Sequence, residues 1–414
     1  MHVDEEVLKQ YVNDALECLK VKFVNNVDDI STAEPKHKVE FAYQQFGEGE
    51  TIFGYKNLQL TLCYTEATMF PHLIIEHSGK IENSKQEPDD IYKLMEVEIV
   101  KDQKDSFENR EIFMEKVKEQ IKFEPFGAEL PTFIHDKENG KKFALFRLDG
   151  ELTEKEKLYV EHIQSILFYY IEKVEYTDSD DERFMYFMLY EVFENQAKSG
   201  RQYRIAGYAS YYKYYCHPNM WRLRAAHTFI FPNFRGMGLG AKLLHAVNMD
   251  IKKHDDIYDT TLETPAVELT QARDAASVLE LIEMEEFSKE KILEPFTKEK
   301  AEAARKAWKM YKVAAQRAYE ILKYAIVKKK GKDAVAEFRD EVLKRIRKPY
   351  DKKDKIYQRM VNSLDPEETE VVVSHEAETM SETQLNQFTD ATLESYQLII
   401  NRLQKHSDVF CKFL

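Results

Sequence analysis

No stretch of this 414-residue chain stays apolar long enough to cross a bilayer, so a membrane-spanning role is set aside. Cysteine is scarce. Cys18, Cys63, Cys216 and Cys411 stand far apart and form no CxxC pair, which argues against a zinc site or a disulfide framework and for a reducing compartment. The start, MHVDEEVLKQYVNDALECL, is acidic and amphipathic, without the basic segment and apolar core of a secretory signal. Positive charge is also in short supply: 60 Lys and Arg face 74 Asp and Glu, a net charge of −14. Such a surface repels nucleic acid and attracts cationic partners, so a basic peptide fits better than DNA, although acidic charge also serves simply to keep a chain soluble.

What is present suits a folded protein, with 43% hydrophobic and 12% aromatic residues, and the length allows two or three domains. The pattern predicts an α+β / α/β chain in three parts. Residues 1–130 read as an α+β module, with strand-like alternation over Thr51–Tyr64 around a turn at Lys56-Asn57 and another strand over Pro71–Glu76. Residues 131–270 read as a mixed-sheet α/β domain. Its strands are expected at 143–148, 184–193, 205–215, 225–231 and 257–263, with helical spacing from Glu154 to Glu172 and from Gly238 to about Lys252. Residues 271–414 read as helical. One long helix is expected over 303–327, another over 337–348 ending at Pro349, and a last one capped by Ser381 and Gln384, with Leu385, Phe388, Thr392, Tyr396, Ile399 and Leu403 in a stripe that packs on the body or on a partner. Two lysine-rich stretches, 328–333 and 352–355, suit solvated loops or nuclear import signals.

The segment FIFPNFRGMGLGAKLL, 229–244, carries the strongest chemical signal. Gly236, Gly238 and Gly240 remove Cβ atoms from a turn ahead of a helix, where backbone N–H groups and the positive end of the helix dipole suit a diphosphate. Two familiar phosphate loops fail on spacing. A dinucleotide fingerprint from Gly236 needs glycine at 241, and a nucleotide P-loop needs Gly-Lys-Ser/Thr where Ala241, Lys242 and Leu243 stand. Arg235-x-x-Gly238-x-Gly240 instead resembles the acetyl-CoA loop of the GNAT acetyltransferase superfamily. Acetyl-CoA would then lie along backbone groups of Thr228, Phe229 and Ile230 and over Arg235, Gly236, Met237, Gly238, Leu239, Gly240 and Ala241.

Acetyl transfer to an amine needs the amine neutral, yet a lysine of pKa ~10.4 is only about one part in a thousand neutral at pH 7. A base is required. Glu263 ends the next expected strand and could accept the proton directly or through water, a role that partial burial beside Phe or Tyr would assist by raising its pKa; the alternative is a plain surface glutamate. In GYASYYKYYCHP, 207–218, alternation puts Tyr208, Tyr212 and Tyr214 on one face and Tyr211 and Tyr215 on the other, for sheet packing or for lining a lysine channel. Cys216 and His217 fit no metal spacing, so direct attack without a metal or an acetyl-cysteine is expected.

Dispersed motifs narrow the resemblance. QFGEGETIFGYK (45–56), FEPFG (123–127), DDERF (180–184), GYxxxYxYYxxP (207–218), Glu263-x-Pro265, Arg273-Asp274, RAYEILK (317–323) and KPY (348–350) together resemble the type B histone acetyltransferase family, over nearly the whole length. The resemblance implies a GNAT core at 131–270, Glu263 as catalytic base and Glu172 as a second carboxylate. It implies tail contacts at Glu48, Gly49 and Glu50, at Phe184 and at Tyr212, Lys213 and Tyr214. It also implies acetylation of lysines in the tail of new histone H-four, a WD-repeat histone-binding subunit as partner, and a nuclear and cytoplasmic location. The family usually has Asp where Thr264 stands, and Trp where Phe184 stands. Rival readings are a GNAT enzyme for a small amine or a protein N-terminus, and a histone-binding scaffold that turns over poorly.

Overall fold

A computed structural model of the chain describes residues 8–32, 35–82, 84, 86–136, 140–194, 200–361 and 380–414; the first seven residues of the acidic start lie outside the described residues. Contacts gather the chain into two units, Met1–Asp250 with Thr261–Glu263, and Ile251–Thr260 with Thr264–Leu414.

The first unit holds two main sheets. In the smaller, the order is His37–Lys38, Leu19–Val24, Gln59–Thr65, Pro71–Glu76, with the central pair parallel. Leu19, Val21, Val24, Leu60, Leu62 and Cys63 are fully buried, as expected of parallel strands covered on both faces. The helix Arg110–Glu119 contributes Phe113 and Val117 to the core around Val24 and Ile30. The expected turn before Gln59 is made by Asn57 in the left-handed region, φ 52°.

The larger sheet runs Ala128–Asp136, Lys141–Asp149, Phe184–Glu194, Arg201–Cys216, Met220–Ile230, each antiparallel to the next. Thr261 and Glu263 lie along its last strand: Thr261 Oγ1 donates to Leu223 O at 3.4 Å and the Glu263 N–H to Ala225 O at 3.0 Å. The register slips once between the last two strands. Ser210 faces His227 but Tyr211 faces Ala225, so Ala226 is an extra residue, and the strand is bent locally. The helix over Glu154–Ser165 starts at a capping box of Thr153 and Glu156. It ends earlier than its spacing predicts. Leu167, Phe168, Tyr169 and Tyr170 are all buried, more than one helix face can hide, and the Tyr169 carbonyl accepts the N–H groups of Glu40 (2.9 Å) and Phe41 (3.2 Å). Glu172 therefore lies in an exposed turn, not on a helix.

The second unit is built on helices Val267–Ile282, Lys298–Trp308, Lys312–Val327, Lys332–Val361 and Glu382–His406. The helix expected over 303–327 is broken. Lys309 is left-handed (φ 53°) and its carbonyl accepts the Thr260 N–H at 2.7 Å, which directs Met310 inward, where it is buried. Conversely, the helix expected to stop at Pro349 runs through it to Val361; the ring is exposed and removes only the one bond to the Arg345 carbonyl. The lysine-rich stretches are not loops: 328–330 form a 3-10 turn and 352–355 continue that helix. In the last long helix the capping box is present, and the stripe packs on its own unit, but through Thr389 (0% exposed), not Phe388 (53%). Two buried carboxylates in this unit are paired, Asp274 with Arg273 and Arg317, and Glu320 with Arg345 and Tyr396.

Candidate active site

The strand Met220–Ile230, the turn after it and the helix Leu239–Ile251 make up the expected cofactor-binding segment. Gly236 and Gly238 have φ of 82° and 68°, conformations that a residue with a Cβ enters only at a cost, and both are exposed. The helix opens one residue after Gly238, with its first N–H groups free of intrahelical partners. Gly207 holds strand and helix together. A Cβ there would come within 3.0 Å of Ile230 Cδ1 and 3.2 Å of Leu243 Cδ2. Phe229 is buried against Tyr170 and Phe231, while Thr228 and Ile230 are half-buried. Several polar atoms along this segment are buried without a hydrogen-bond partner: His227 Nδ1, Thr228 Oγ1, Asn233 Oδ1 and, beside Phe229, the Tyr170 hydroxyl. Such orphans are rare in a finished interior, and they fit a polar ligand laid along the strand. Burial also drives the His227 pKa down to about 4.

Arg235 turns back onto its own unit. Its guanidinium reaches Glu40 at 2.5 Å and Ile230 O at 3.2 Å and covers the rings of Tyr170 and Phe229, at 4.9 and 5.5 Å. Glu40 begins the segment that carries Glu48, Gly49 and Glu50. Glu48 and Gly49 are exposed; the Glu50 carboxylate accepts the Ala42 N–H at 2.7 Å and so also caps the short helix Tyr43–Phe46. The same segment is bonded to the turn of Glu172, since Lys173 N–H donates to Tyr43 Oη at 2.6 Å and Gln44 to Val174 O at 3.1 Å.

A row of side chains ends at Glu263. Phe184 meets the Tyr212 ring edge-on at 4.9 Å, and Tyr212 meets Tyr214 at 4.8 Å. The Arg224 guanidinium covers Tyr214 at 4.7 Å, and its Nη1 lies 4.0 Å from Glu263 Oε1. At the other end Arg183 covers Tyr212 at 4.8 Å and pairs with Asp181, which also accepts the Tyr212 hydroxyl at 3.1 Å; the Arg183 bonds hold the Asp181 carboxyl down at about 2. Lys213 joins the row through its backbone, donating to Arg183 O at 3.0 Å.

The surroundings of Glu263 differ from the apolar cover that the sequence reading sought. Its side chain is 49% exposed and its charged neighbour is a cation. Next to it Thr264 has φ 34°, unusual for a β-branched residue and typical of strained functional turns. Among the described residues no hydrogen bond or ion pair joins Glu172 to Glu263. Arg224, Asp181, Glu40 and His227 were not singled out from the sequence. Only the DDERF motif included Asp181, and the others need the fold to bring them in. Among the described residues no cluster of His, Cys, Asp or Glu is placed to hold a metal, no helix is long and apolar enough to cross a membrane, and all four cysteines are free. A cavity of about 350 Å³ beside Asn25, Phe193 and Tyr203 shares none of the residues above.

Two family models match the chain: "Histone acetyl transferase HAT1 N-terminus" over 11–172, and "Histone acetyltransferase type B catalytic subunit, C-terminal" over 273–324. Full-length relatives span the interval between them. Proteins named histone acetyltransferase type B catalytic subunit are similar to it at 29% identity in Homo sapiens (96% of this chain, 95% of the relative) and 30% in Mus musculus (96% of each). The Candida albicans protein of that name is 27% identical over 76% of each chain.

Proposed function

The chain belongs to the family of histone acetyltransferase type B catalytic subunits, and from that premise we propose that it moves acetyl from acetyl-CoA to the ε-amine of lysines in the tail of newly made histone H-four. The observation that carries the proposal is the row from Phe184 to Glu263 in the same unit as the glycine turn. Acetyl-CoA lies along Thr228, Phe229 and Ile230, with its diphosphate on the turn from Arg235 through Gly236, Met237, Gly238, Leu239 and Gly240 to Ala241, where backbone donors and the helix dipole favour an anion. The tail lies over Glu48, Gly49, Glu50, Phe184, Tyr212, Lys213 and Tyr214, where carboxylates and ring faces attract ammonium and guanidinium groups.

The reaction runs by direct attack. Glu263 takes one proton from the lysine ammonium, directly or through water. The free amine adds to the thioester carbonyl, the N–C bond forms as the C–S bond breaks, and the second nitrogen proton leaves with the departing thiol. Glu172 is the second carboxylate available to the site. By family analogy the partners are the histone and a WD-repeat histone-binding subunit, and the setting is nuclear and cytoplasmic. The competing reading, a histone-binding scaffold of poor turnover, draws on Thr264 standing where a carboxylate is usual.

Steady-state turnover of a histone H-four tail peptide separates these readings. Glu263→Gln keeps size and hydrogen bonding while removing basicity, so kcat falls about 10²- to 10⁴-fold with acetyl-CoA affinity little changed. A kcat near that of the wild type in this variant moves the base elsewhere, and a wild type without turnover leaves the scaffold.

A further inference from the structure

We infer that Arg224 is a positioning residue for acetyl transfer, whose guanidinium offsets the charge of Glu263 so that the carboxylate can accept the substrate's proton without holding the substrate as an ammonium. The inference rests on the acetyl-transfer reading with Glu263 as base. A carboxylate beside an amine poses a difficulty. It accepts protons, but its charge favours the protonated amine and raises the very pKa that catalysis must bring down. A cation beside the carboxylate removes that bias, because the incoming ammonium then meets a pair of near-zero net charge.

The geometry suits this division of labour. Arg224 Nη1 stands 4.0 Å from Glu263 Oε1, close enough for the charges to offset each other and too far for a hydrogen bond that would occupy the oxygen. The guanidinium also packs on the face of Tyr214 at 4.7 Å, and Tyr214 meets Tyr212 in an edge contact at 4.8 Å. Arg224 is the register partner of Tyr212, and the next residue, Ala225, accepts the Glu263 N–H at 3.0 Å. One short backbone segment therefore fixes both charges.

The other titratable and charged groups near Arg224 are its register neighbours and an ion pair beyond them. Tyr212 and Tyr214 come from the neighbouring strand and present their rings and hydroxyls. Arg222 is opposite Tyr214 on that strand's pairing. Beyond Tyr212, Asp181 and Arg183 pair with each other at 2.6 Å. In a chain of net charge −14, a cation kept at the one carboxylate that must act as base has a chemical use that general solubility does not explain.

The test is the pH dependence of kcat on a histone H-four tail peptide, with acetyl-CoA affinity measured by calorimetry, for the wild type, Arg224→Gln and Arg224→Lys. Removing a like charge a few Å from an exposed ammonium raises its pKa by about one unit. In Arg224→Gln the midpoint of the rising limb therefore moves up by about one pH unit, kcat at pH 7 drops about tenfold, and the rate recovers at higher pH with acetyl-CoA affinity unchanged. Arg224→Lys, which keeps the charge and loses the planar stack, retains the wild-type midpoint. An unmoved midpoint in Arg224→Gln overturns the inference, as does an equal shift in Arg224→Lys, which would assign Arg224 a packing role. Failure of the underlying reading looks different: Glu263→Gln then keeps its kcat, or the wild type does not acetylate the peptide.

Discussion

His227 sets a pH limit on the unit that carries the site. The residue is half-buried on the strand of Thr228 to Ile230, Nδ1 is out of water and has no partner, and burial drives its pKa from 6.5 down to about 4. The unfolded chain therefore binds a proton more readily than the folded one. Stability from this residue is fully present above pH 6.5 and is lost as pH falls towards 4. At about 1.4 kcal/mol per pKa unit, the loss is about 2 kcal/mol by pH 5 and about 3 kcal/mol by pH 4. Burial lowers the His72 pKa too, so the wild-type slope has more than one source; the difference between wild type and His227→Gln isolates this one. Urea unfolding at pH 7, 6 and 5 measures it, followed through Trp221 on the same strand, with Trp308 reporting the second unit. The wild type is expected to lose about 2 kcal/mol more between pH 7 and 5 than His227→Gln. Parallel pH profiles would refute a neutral His227.

Two further outcomes concern the ligand surfaces. Gly238→Val forces a β-branched residue to φ 68°, which costs about 1–2 kcal/mol of stability and places a side chain against the diphosphate, so calorimetry on the folded variant is expected to show severely weakened acetyl-CoA binding; unchanged affinity removes the turn from the cofactor site. Glu48→Lys raises the KM for a basic tail peptide, and added salt weakens the wild-type interaction. Glu50→Lys does so too and also lowers the melting temperature, because its carboxylate holds the Ala42 N–H; a KM indifferent to salt and to both reversals takes these residues off the tail surface.

Much of the larger sheet was legible because its strands are long and rich in aromatic and β-branched residues, and the glycine turn because a strand, glycines at fixed spacing and an apolar helix follow in order. Helix ends in the second unit were not. The amphipathic pattern runs through Lys309 without a break, and only the bond from Thr260 to its carbonyl explains the left-handed residue there. Pro349 misled in the opposite sense, since an exposed proline removes one helix bond without ending the helix. The end of the helix before Glu172 was hidden because Leu167 to Tyr170 are apolar for two reasons at once, local packing and contact with the segment of Glu40. The candidate site was proposed through residues with distinctive chemistry, Glu263 and the tyrosines. Arg224 escaped because an arginine in a strand carries no signal until its neighbours across the sheet are known.

Arg235 has a thermodynamic consequence that its contacts alone do not express. A free arginine side chain carries about 2 kcal/mol of rotamer entropy, lost when a ligand fixes it. Here a carboxylate, a carbonyl and two ring faces fix it already, and although an exposed ion pair of this kind adds little to stability, the four restraints together leave the side chain few conformations to lose. On the acetyl-transfer reading, a diphosphate reaching the glycine turn would meet a cation whose disorder was removed when the chain folded.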